Sequence, residues 1–373
     1  MASLNEFLTD ELSKRYEQGL LRKLITSQLT VDFVSNDYLG LARSKELSEL
    51  IENTHRKLGV QNGSSGSRLL AGNSPYIEEV EKNLSRIFKS ETTLIFNSGY
   101  SASLAVLSSI PQKGDTIIYD SLAHACIKDG ARLSLATRHS FRHNDMNDLE
   151  SKLKASKGKI FIAVESIYSM DGDECPLREI INLSEKYNAS VILDEAHSTG
   201  VVGAHGAGLC IAKDLQDKID IRIYTFGKAM GVHGACVAGS ETLIHYLLNF
   251  ARPFIYTTAL SQHSVASIQC AFDYLSANIS LQQTLRNKID LYLAGVRQFH
   301  NRTPSLSAIQ TIICPGNAVV KRAADSLQHI GFDVRPIVYP TVPKGTERLR
   351  ICLHSFNSDD EITSLTNALY ELA

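Results

Sequence analysis

Short apolar runs alternate with amphipathic segments between residue 74 and about residue 240. The runs that predict strands are 92–96, 115–119, 160–164, 190–193, 222–225 and 235–238. The helices predicted between them include 74–84, 99–109 and 176–186. Short apolar strands that are separated by helices are typical of a parallel sheet with helices on both faces. The pattern therefore predicts an α/β fold.

The two ends of the chain show different patterns. Leu4, Phe7, Leu8, Leu12 and Tyr16 recur at helical spacing, which predicts an amphipathic N-terminal helix over residues 1 to about 30 that packs on the body of the protein. Beyond residue 275, we expect helices at 284–299 and 320–330 and strands at 309–313 and 348–353. The predicted organisation is an N-terminal helix and arm (1–44), a large domain (45–274) and a small α+β C-terminal domain (275–373).

The amino-acid composition argues against several classes of function. The 373 residues are 43% hydrophobic and 21% charged, with a formal net charge of −2, so no basic excess suggests a nucleic-acid partner. The seven cysteines are scattered without a CxxC pair, which argues against a disulfide framework or a structural zinc site and favours reduced thiols. No long apolar run or signal pattern is present, so we expect a cytoplasmic protein without a membrane segment.

Candidate chemistry gathers where the predicted strands end, which is where parallel sheets bind ligands. Asp194 directly follows the predicted strand 190–193. Lys228 lies between Gly227 and Ala229, shortly after the predicted strand 222–225. A lysine amine can form an imine with the aldehyde of pyridoxal phosphate, and a carboxylate can keep the ring nitrogen protonated. Gly99 opens a helix after a strand, where free N–H groups can bind a phosphate. Together these residues predict a pyridoxal phosphate site, although each alone is typical of a surface charge or an ordinary turn.

Two other motifs have competing interpretations. Asp194–His197 spells the DEAH tetrad of nucleic-acid helicases, but the phosphate loop GxxxxGK[ST] that such enzymes need does not occur. An arginine on the predicted strand at 348–353 could bind a carboxylate with both of its terminal nitrogens. We expect Arg348 and Arg350 to face opposite sides of that strand, so that no more than one of them is functional.

Several longer motifs occur in order along nearly the whole chain. They are SNDYLGL (35–41), GSRLLAGN (66–73), FRHND (141–145), SMDGD (169–173), DEAH (194–197), TFGK (225–228) and the segment 341–350. In these motifs the chain resembles the α-oxoamine synthases, a family of fold-type I pyridoxal phosphate enzymes. The resemblance implies a mostly parallel sheet with helices on both faces and a smaller α+β C-terminal domain.

The resemblance also implies roles for individual residues. Lys228 would hold the cofactor covalently, Asp194 would pair with the ring nitrogen, His124 would stack on the ring, and His197 and Ser169 would contact its face and phenolic oxygen. The residues implied for the phosphate are Gly99, Tyr100 and Thr225, with Thr257 and Thr258 of the partner subunit. For the substrates, the resemblance implies that Arg350 binds the amino-acid carboxylate. It also implies that the path of the acyl substrate is lined by Asn36, Thr341 and Arg22.

One branch of the family fits best, on the motifs at 66–69 and 307–310. That branch implies a homodimer with shared active sites that condenses L-alanine with pimeloyl-CoA or pimeloyl-acyl carrier protein. The products would be 8-amino-7-oxononanoate, CO2 and a free thiol, as in biotin biosynthesis. A sibling such as glycine C-acetyltransferase shares the cofactor motifs and stays an alternative. A catalytically silent binding protein on the same fold is a second alternative, which the intact Lys228 and Asp194 disfavour.

Overall fold

The computed structural model describes residues 3–26 and 31–372. Its strands are β1 (Val31–Asp32), β2 (Thr92–Phe96), β3 (Thr116–Asp120), β4 (Thr137–Phe141), β5 (Ile160–Glu165), β6 (Ala189–Asp194), β7 (Ile221–Thr225), β8 (Ala235–Gly239), β9 (Ile309–Ile313), β10 (Phe332–Asp333), β11 (Arg335–Ile337) and β12 (Arg348–Cys352). Its helices are α1 (Leu4–Glu17), α2 (Lys45–Lys57), α3 (Pro75–Ile87), α4 (Gly99–Ser109), α5 (Ala125–Leu133), α6 (Met146–Ala155), α7 (Leu177–Tyr187), α8 (Leu209–Ala212), α9 (Glu241–Phe250), α10 (Arg252–Ile255), α11 (Gln262–Ala277), α12 (Ser280–Gly295), α13 (Asn317–His329) and α14 (Asp359–Leu372).

A seven-stranded sheet forms the centre of the molecule, in the order β2-β8-β7-β6-β5-β3-β4. The strands β3 to β7 pair in parallel, and only β8 runs antiparallel to its two neighbours. The inner strands are buried on both faces, which explains the consecutive apolar residues of β5 and β6. The predicted α/β fold with a mostly parallel sheet is therefore confirmed.

Local signals explain where the helices around the site begin. The Ser74 hydroxyl accepts from the Ile77 amide and Pro75 occupies the first turn of α3, as the sequence predicts. Ser98 caps α4 in the same way through the Ser101 amide. The edge strand β4 was not predicted, because four of its five residues are polar and exposed and it lacks the apolar run of the inner strands.

A second, three-stranded antiparallel sheet is formed by β11, β12 and β9. The segment that follows β1 runs beside it, since the Cys352 amide donates to the Phe33 carbonyl and the Ser355 amide donates to the Tyr38 carbonyl, both at 2.8 Å. This arrangement carries residues 33–38 to β12. The predicted C-terminal strands and helices are present within a few residues, and the sequence did not predict β10, β11 and α14. The boundaries at residues 44 and 274 stay predictions.

The N-terminal helix differs from the expectation. It ends at Glu17, residues 18–26 carry no helix, and residues 27–30 lie outside the described residues. Its apolar side chains do not pack on the body of this chain, since Leu4, Phe7, Leu8, Leu12 and Tyr16 are 46% to 73% exposed. A local capping box, in which Ser3 and Glu6 satisfy each other's amides, explains why the helix forms. Across residues 3–26 and 31–372, no helix has the length and apolarity to cross a bilayer.

Candidate active site

The carboxyl ends of the central strands converge on one cavity of about 300 Å3. Asp194 ends β6, Thr225 ends β7, and Gly99 follows β2 at the start of α4. The sequence-predicted residues that line the cavity are Asn36, Gly99, Tyr100, His124, Asp194, Thr225 and Lys228. Parallel strands place their carboxyl ends at the same edge, so the predicted convergence follows from the sheet.

Two larger cavities lie elsewhere. One of about 710 Å3 is bordered by α3, β2 and α9, and another of about 460 Å3 lies between Val201 and α12. Neither contains Lys228 or Asp194, and volume alone does not identify a reaction site. The smaller cavity is the candidate active site because titratable and hydrogen-bonding groups from separate strand ends meet there.

The amine of Lys228 lies at the centre of the site, 2.8 Å from Nε2 of His197. Burial lowers the pKa of Lys228, while the carboxylates of Asp194 and Glu165 oppose this shift and the positive charge of Arg350 adds to it. A depressed pKa increases the fraction of neutral amine, the form that can act as a nucleophile or base. The structure thus places Lys228 in the environment that the chemistry needs.

Two carboxylates accompany the lysine. Asp194 is buried, and its Oδ1 accepts from the Ala196 amide at 2.9 Å. Glu165 ends the adjacent strand β5, where its Oε1 accepts from the His124 amide at 2.6 Å. Burial and then the negative charge of Asp194 raise the pKa of Glu165 to about 8. Sequence reasoning missed Glu165, although a carboxylate at the end of a buried strand was the signal that identified Asp194.

The start of α4 has the features of a phosphate site. The first-turn amides of Gly99 and Tyr100 point out of the helix end. A Cβ on residue 99 would lie 2.4 Å from Cγ2 of Thr225, so only glycine allows this close approach. Within the described residues, the buried Oγ1 of Thr225 has no hydrogen-bond partner. An amide-lined helix start and an unpaired hydroxyl fit the phosphate of pyridoxal phosphate.

The two histidines occupy different positions around the lysine. His124 precedes α5 and lines the cavity, and its Nδ1 accepts from the Cys126 amide at 3.3 Å. His197 is buried and contacts Lys228 through Nε2 and the Tyr38 hydroxyl through Nδ1. Sequence reasoning had not singled out Tyr38, although it belongs to the motif at 35–41.

Both arginines of β12 point to the same loop, so the expectation that they face opposite sides is wrong. Residues two positions apart in a strand share a face. Arg348 forms a buried ion pair with Asp171, whereas Arg350 donates to the Ser169 carbonyl at 2.7 Å and to Oδ1 of Asn36 at 3.0 Å. Arg350 therefore lies beside the cavity, and Ser169 supports it through a backbone oxygen.

Besides His197, Ser169 and Arg350, four predicted residues lie outside the cavity lining. Arg22 and Thr341 are exposed and do not border the cavity. Thr257 and Thr258 approach the site within their own chain, since Nδ2 of Asn97 donates to the Thr258 carbonyl at 2.9 Å and to the Thr257 hydroxyl at 3.4 Å. Their assignment to the site of a partner subunit stays a prediction.

Comparisons with known proteins agree with this geometry. The sequence profile of the family described as "Aminotransferase class I and II" matches residues 30–369. The chain is 37% identical over 391 residues to an 8-amino-7-oxononanoate synthase of Emericella nidulans, covering 98% of this chain and 95% of the relative. It is 36% identical over 345 residues to another from Saccharophagus degradans, covering 92% and 86% of the two chains.

Solved structures of enzymes from the same family also superpose on this chain. A serine palmitoyltransferase from S. paucimobilis with bound PLP superposes with a TM-score of 0.90 at 25% identity, covering 100% of this chain and 98% of that one. An 8-amino-7-oxononanoate synthase from Francisella tularensis superposes with a TM-score of 0.79 at 28% identity, covering 92% and 97%. The cofactor is pyridoxal phosphate, and the residues around Lys228 fit it. The chain thus belongs to the class I and II aminotransferase family and, within it, to the α-oxoamine synthases, which are pyridoxal phosphate-dependent acyltransferases.

Proposed function

We propose that the protein condenses L-alanine with a pimeloyl thioester to give 8-amino-7-oxononanoate, CO2 and the free thiol. The relatives named for this activity match more than nine-tenths of the chain. The observation that carries the proposal is the half-buried amine of Lys228 beside His197, with Arg350 held next to the same cavity by Asn36. In a decarboxylative condensation, a base removes the Cα proton of the amino acid and a guanidinium can bind its carboxylate.

Pyridoxal phosphate, when bound, supplies an electron sink for the negative charge that develops at Cα of the amino acid. Asp194 contributes a buried carboxylate that would hold a proton on the ring nitrogen. Gly99, Tyr100 and Thr225 would hold the phosphate, and His124 would cover the ring. These residues would hold the cofactor in place, and Lys228 would carry out the proton transfers.

Lys228 acts as the base. Its amine takes the Cα proton of alanine, Cα then bonds to the thioester carbonyl carbon, and the thiolate leaves. The alanine carboxyl group departs as CO2, and the lysine ammonium returns a proton to Cα. Arg350 binds the alanine carboxylate through a charge-assisted pair of hydrogen bonds before this loss. The low pKa that burial gives Lys228 keeps the amine able to accept the first proton.

Substrate identity within the family is the finer question. Serine palmitoyltransferase superposes closely on this chain, and glycine C-acetyltransferase shares its cofactor motifs. The amino acids and acyl thioesters of these enzymes are therefore compared with alanine and the pimeloyl thioesters. The test incubates the holoenzyme with alanine, glycine or serine, each with pimeloyl-CoA, acetyl-CoA or palmitoyl-CoA, and with pimeloyl-acyl carrier protein. Thiol release and product mass are measured, with Lys228→Ala as the inactive control. We expect turnover with alanine and a pimeloyl thioester, and a preference for any other pair would overturn the proposal.

We also propose a homodimer in which Thr257 and Thr258 of the partner subunit approach the phosphate. The exposed apolar side chains of α1 and the exposed Leu70 and Tyr256 support an association of two chains. Sedimentation equilibrium of the holoenzyme measures the mass directly. A monomer at the concentrations used for assay would contradict this proposal.

A further inference from the structure

His233 borders the candidate active site, and the proposed mechanism gives it no role. It lies in the connection between β7 and β8, on the same segment as Lys228. Two backbone hydrogen bonds of 3.0 Å hold this connection, from the Phe226 amide to the Gly234 carbonyl and from the Val232 amide to the Phe226 carbonyl. The imidazole is exposed, and in the described part of the chain it has no hydrogen-bond or ion-pair partner. It is therefore free to contact a group that enters the cavity.

The pairing of β8 determines which end of the cavity His233 occupies. Ala235, the first residue of β8, pairs with Phe96 of β2 on one side and with Thr225 of β7 on the other. His233 thus lies between the end of β2, which leads to Gly99, and the end of β7. The two buried carboxylates end β6 and β5, on the far side of β7. Because neighbouring strands are about 4.8 Å apart, β8 lies about 10 Å from β6 and about 14 Å from β5. His233 is therefore at the phosphate end of the cavity.

The proposed phosphate site is otherwise made of neutral groups. It consists of the first-turn amides of α4 and the hydroxyl of Thr225, whose buried Oγ1 has no hydrogen-bond partner among the described residues. Two neighbouring hydroxyls are engaged elsewhere, since Tyr100 donates to Asp129 at 2.6 Å and Ser98 caps α4. A phosphate monoester carries roughly two negative charges near neutral pH. Helix amides and one hydroxyl give it hydrogen bonds but only a partial positive charge.

Few side chains around the cavity can supply a full positive charge. The titratable groups among the described residues that border it are Tyr100, His124, Cys126, Glu165, Asp194, Lys228 and His233. Of these, only the two histidines and the lysine can be cations. In the holoenzyme, Lys228 holds the cofactor covalently at its aldehyde, a different substituent of the ring from the phosphate. Burial is the largest of the effects that lower the pKa of His124, which favours its neutral form. His233 is therefore the remaining group that can bring a positive charge to the phosphate.

We propose that the imidazolium of His233 binds the phosphate of pyridoxal phosphate and supplies the charge that the neutral groups of the site lack. A charge-assisted hydrogen bond of this kind is stronger than one between neutral groups. Because His233 and Lys228 belong to one connection between strands, that segment would hold the cofactor at both its phosphate and its aldehyde. The inference rests on the phosphate site proposed at Gly99 and Thr225, and it is independent of which amino acid and thioester react.

The test titrates the full chain, freed of cofactor, with pyridoxal phosphate and with pyridoxal, which has the same aldehyde but no phosphate. The absorbance of the bound ligand gives Kd for both. The wild type is compared with His233→Ala, with His233→Gln and with a matched control, His139→Ala, on the exposed edge strand β4. Thr225→Val tests the phosphate site independently of His233.

We expect His233→Ala to raise Kd for pyridoxal phosphate about 10- to 100-fold, as the loss of a charge-assisted hydrogen bond predicts, and to leave Kd for pyridoxal within about twofold. His233→Gln keeps a neutral donor and should lie between His233→Ala and the wild type. The control should match the wild type with both ligands. In the holoenzyme, the 31P resonance of the phosphate should shift in both variants of His233 and stay in place in the control.

Equal losses of affinity for the two ligands would overturn the inference, because they would show that His233 only supports the segment that carries Lys228. Unchanged cofactor binding with a raised KM for the acyl thioester would also overturn it and would place His233 on the acyl path.

The phosphate site itself gives a separate result. Thr225→Val should weaken the binding of pyridoxal phosphate and not that of pyridoxal. If Thr225→Val leaves both affinities unchanged, the assigned site is wrong. If Thr225→Val has its expected effect and His233→Ala has none, the inference alone fails. Absence of product from alanine and a pimeloyl thioester would contradict the proposed condensation and would not alter these cofactor affinities.

Discussion

Glu165 and Asp194 lie directly opposite each other at the ends of the adjacent parallel strands β5 and β6. Two buried carboxylates therefore stand at one edge of the sheet, both close enough to Lys228 to influence its charge. Burial raises the pKa of each, and the negative charge of Asp194 raises that of Glu165 further. The half-buried Lys228 can balance one of these negative charges, so the second carboxylate tends to hold a proton.

The first prediction concerns the pH dependence of stability. The pKa of Glu165 rises from its ordinary 4.5 to about 8, so the folded state keeps a proton that the unfolded chain loses between these values. Stability is complete below the lower value and falls as pH rises to the upper one, by up to about 1.4 kcal/mol per pH unit. Glu165→Gln should flatten this decline, as measured by urea unfolding of the apoprotein across the range. The exposed Glu179 on α7 supplies the control, Glu179→Gln, and equal slopes in all three proteins would contradict the prediction.

The second prediction concerns His143, whose Nδ1 lies 3.0 Å from Asp120 and whose Nε2 lies 2.8 Å from Asp173. Burial disfavours the imidazolium, but hydrogen bonds and charge from the two carboxylates outweigh it and raise the pKa of His143 to about 10. This contribution to stability is complete below pH 6.5 and is lost as pH rises towards 10. His143→Gln should lower the free energy of unfolding at neutral pH by about 3 kcal/mol, because buried Asp120 loses its cation.

Denaturant unfolding measures this effect, with His139→Gln on the exposed edge strand β4 as the control. The control should leave the free energy of unfolding within about 0.5 kcal/mol of the wild type. An equally small change for His143→Gln would show that a charged imidazole between Asp120 and Asp173 does not stabilise the fold.

The third prediction separates the two arginines of β12. Arg350→Ala should raise KM for alanine by about 100-fold, the order expected for losing charge-assisted hydrogen bonds to a carboxylate, and change KM for the thioester much less. Arg348→Ala should instead destabilise the protein by about 3 to 5 kcal/mol, because Asp171 is left buried without its cation. Steady-state kinetics and thermal unfolding of both variants test the pair. An equal rise in both KM values for Arg350→Ala would argue against carboxylate binding.

The fourth prediction concerns helix α1. Leu8 and Leu12 are 46% and 57% exposed, so Leu8→Ser and Leu12→Ser should change the free energy of unfolding of a single chain by no more than about 0.5 kcal/mol. Measurements over a range of protein concentrations distinguish a single chain from an assembly. A larger loss that grows with concentration would show that α1 packs against a second chain.

The sequence by itself determined most of the secondary structure near the site. Continuous apolar runs identified the inner strands, because helices cover both faces of those strands and burial on both faces favours apolar side chains. Ser74 with Pro75, and the turn at Gly99, located the starts of α3 and α4 through local backbone chemistry. The edge strand β4 was not predicted because it is polar and lacks an apolar run. The final helix α14 was not predicted either, although its buried Ile362, Leu365 and Leu369 recur at helical spacing.

The sequence also located Asp194, Thr225, Gly99 and Lys228, because every parallel strand delivers its carboxyl end to the same edge of the sheet. Only the tertiary structure decided the remaining contacts. Arg350 meets Asn36 across 314 positions of sequence, and Tyr38 meets His197 across 159. No local pattern encodes such contacts, since they depend on how the segment after β1 is laid against β12. Burial likewise belongs to the folded state alone. It lowers the pKa of Lys228, so that the amine can carry a free lone pair nearer to neutral pH than a lysine in water can.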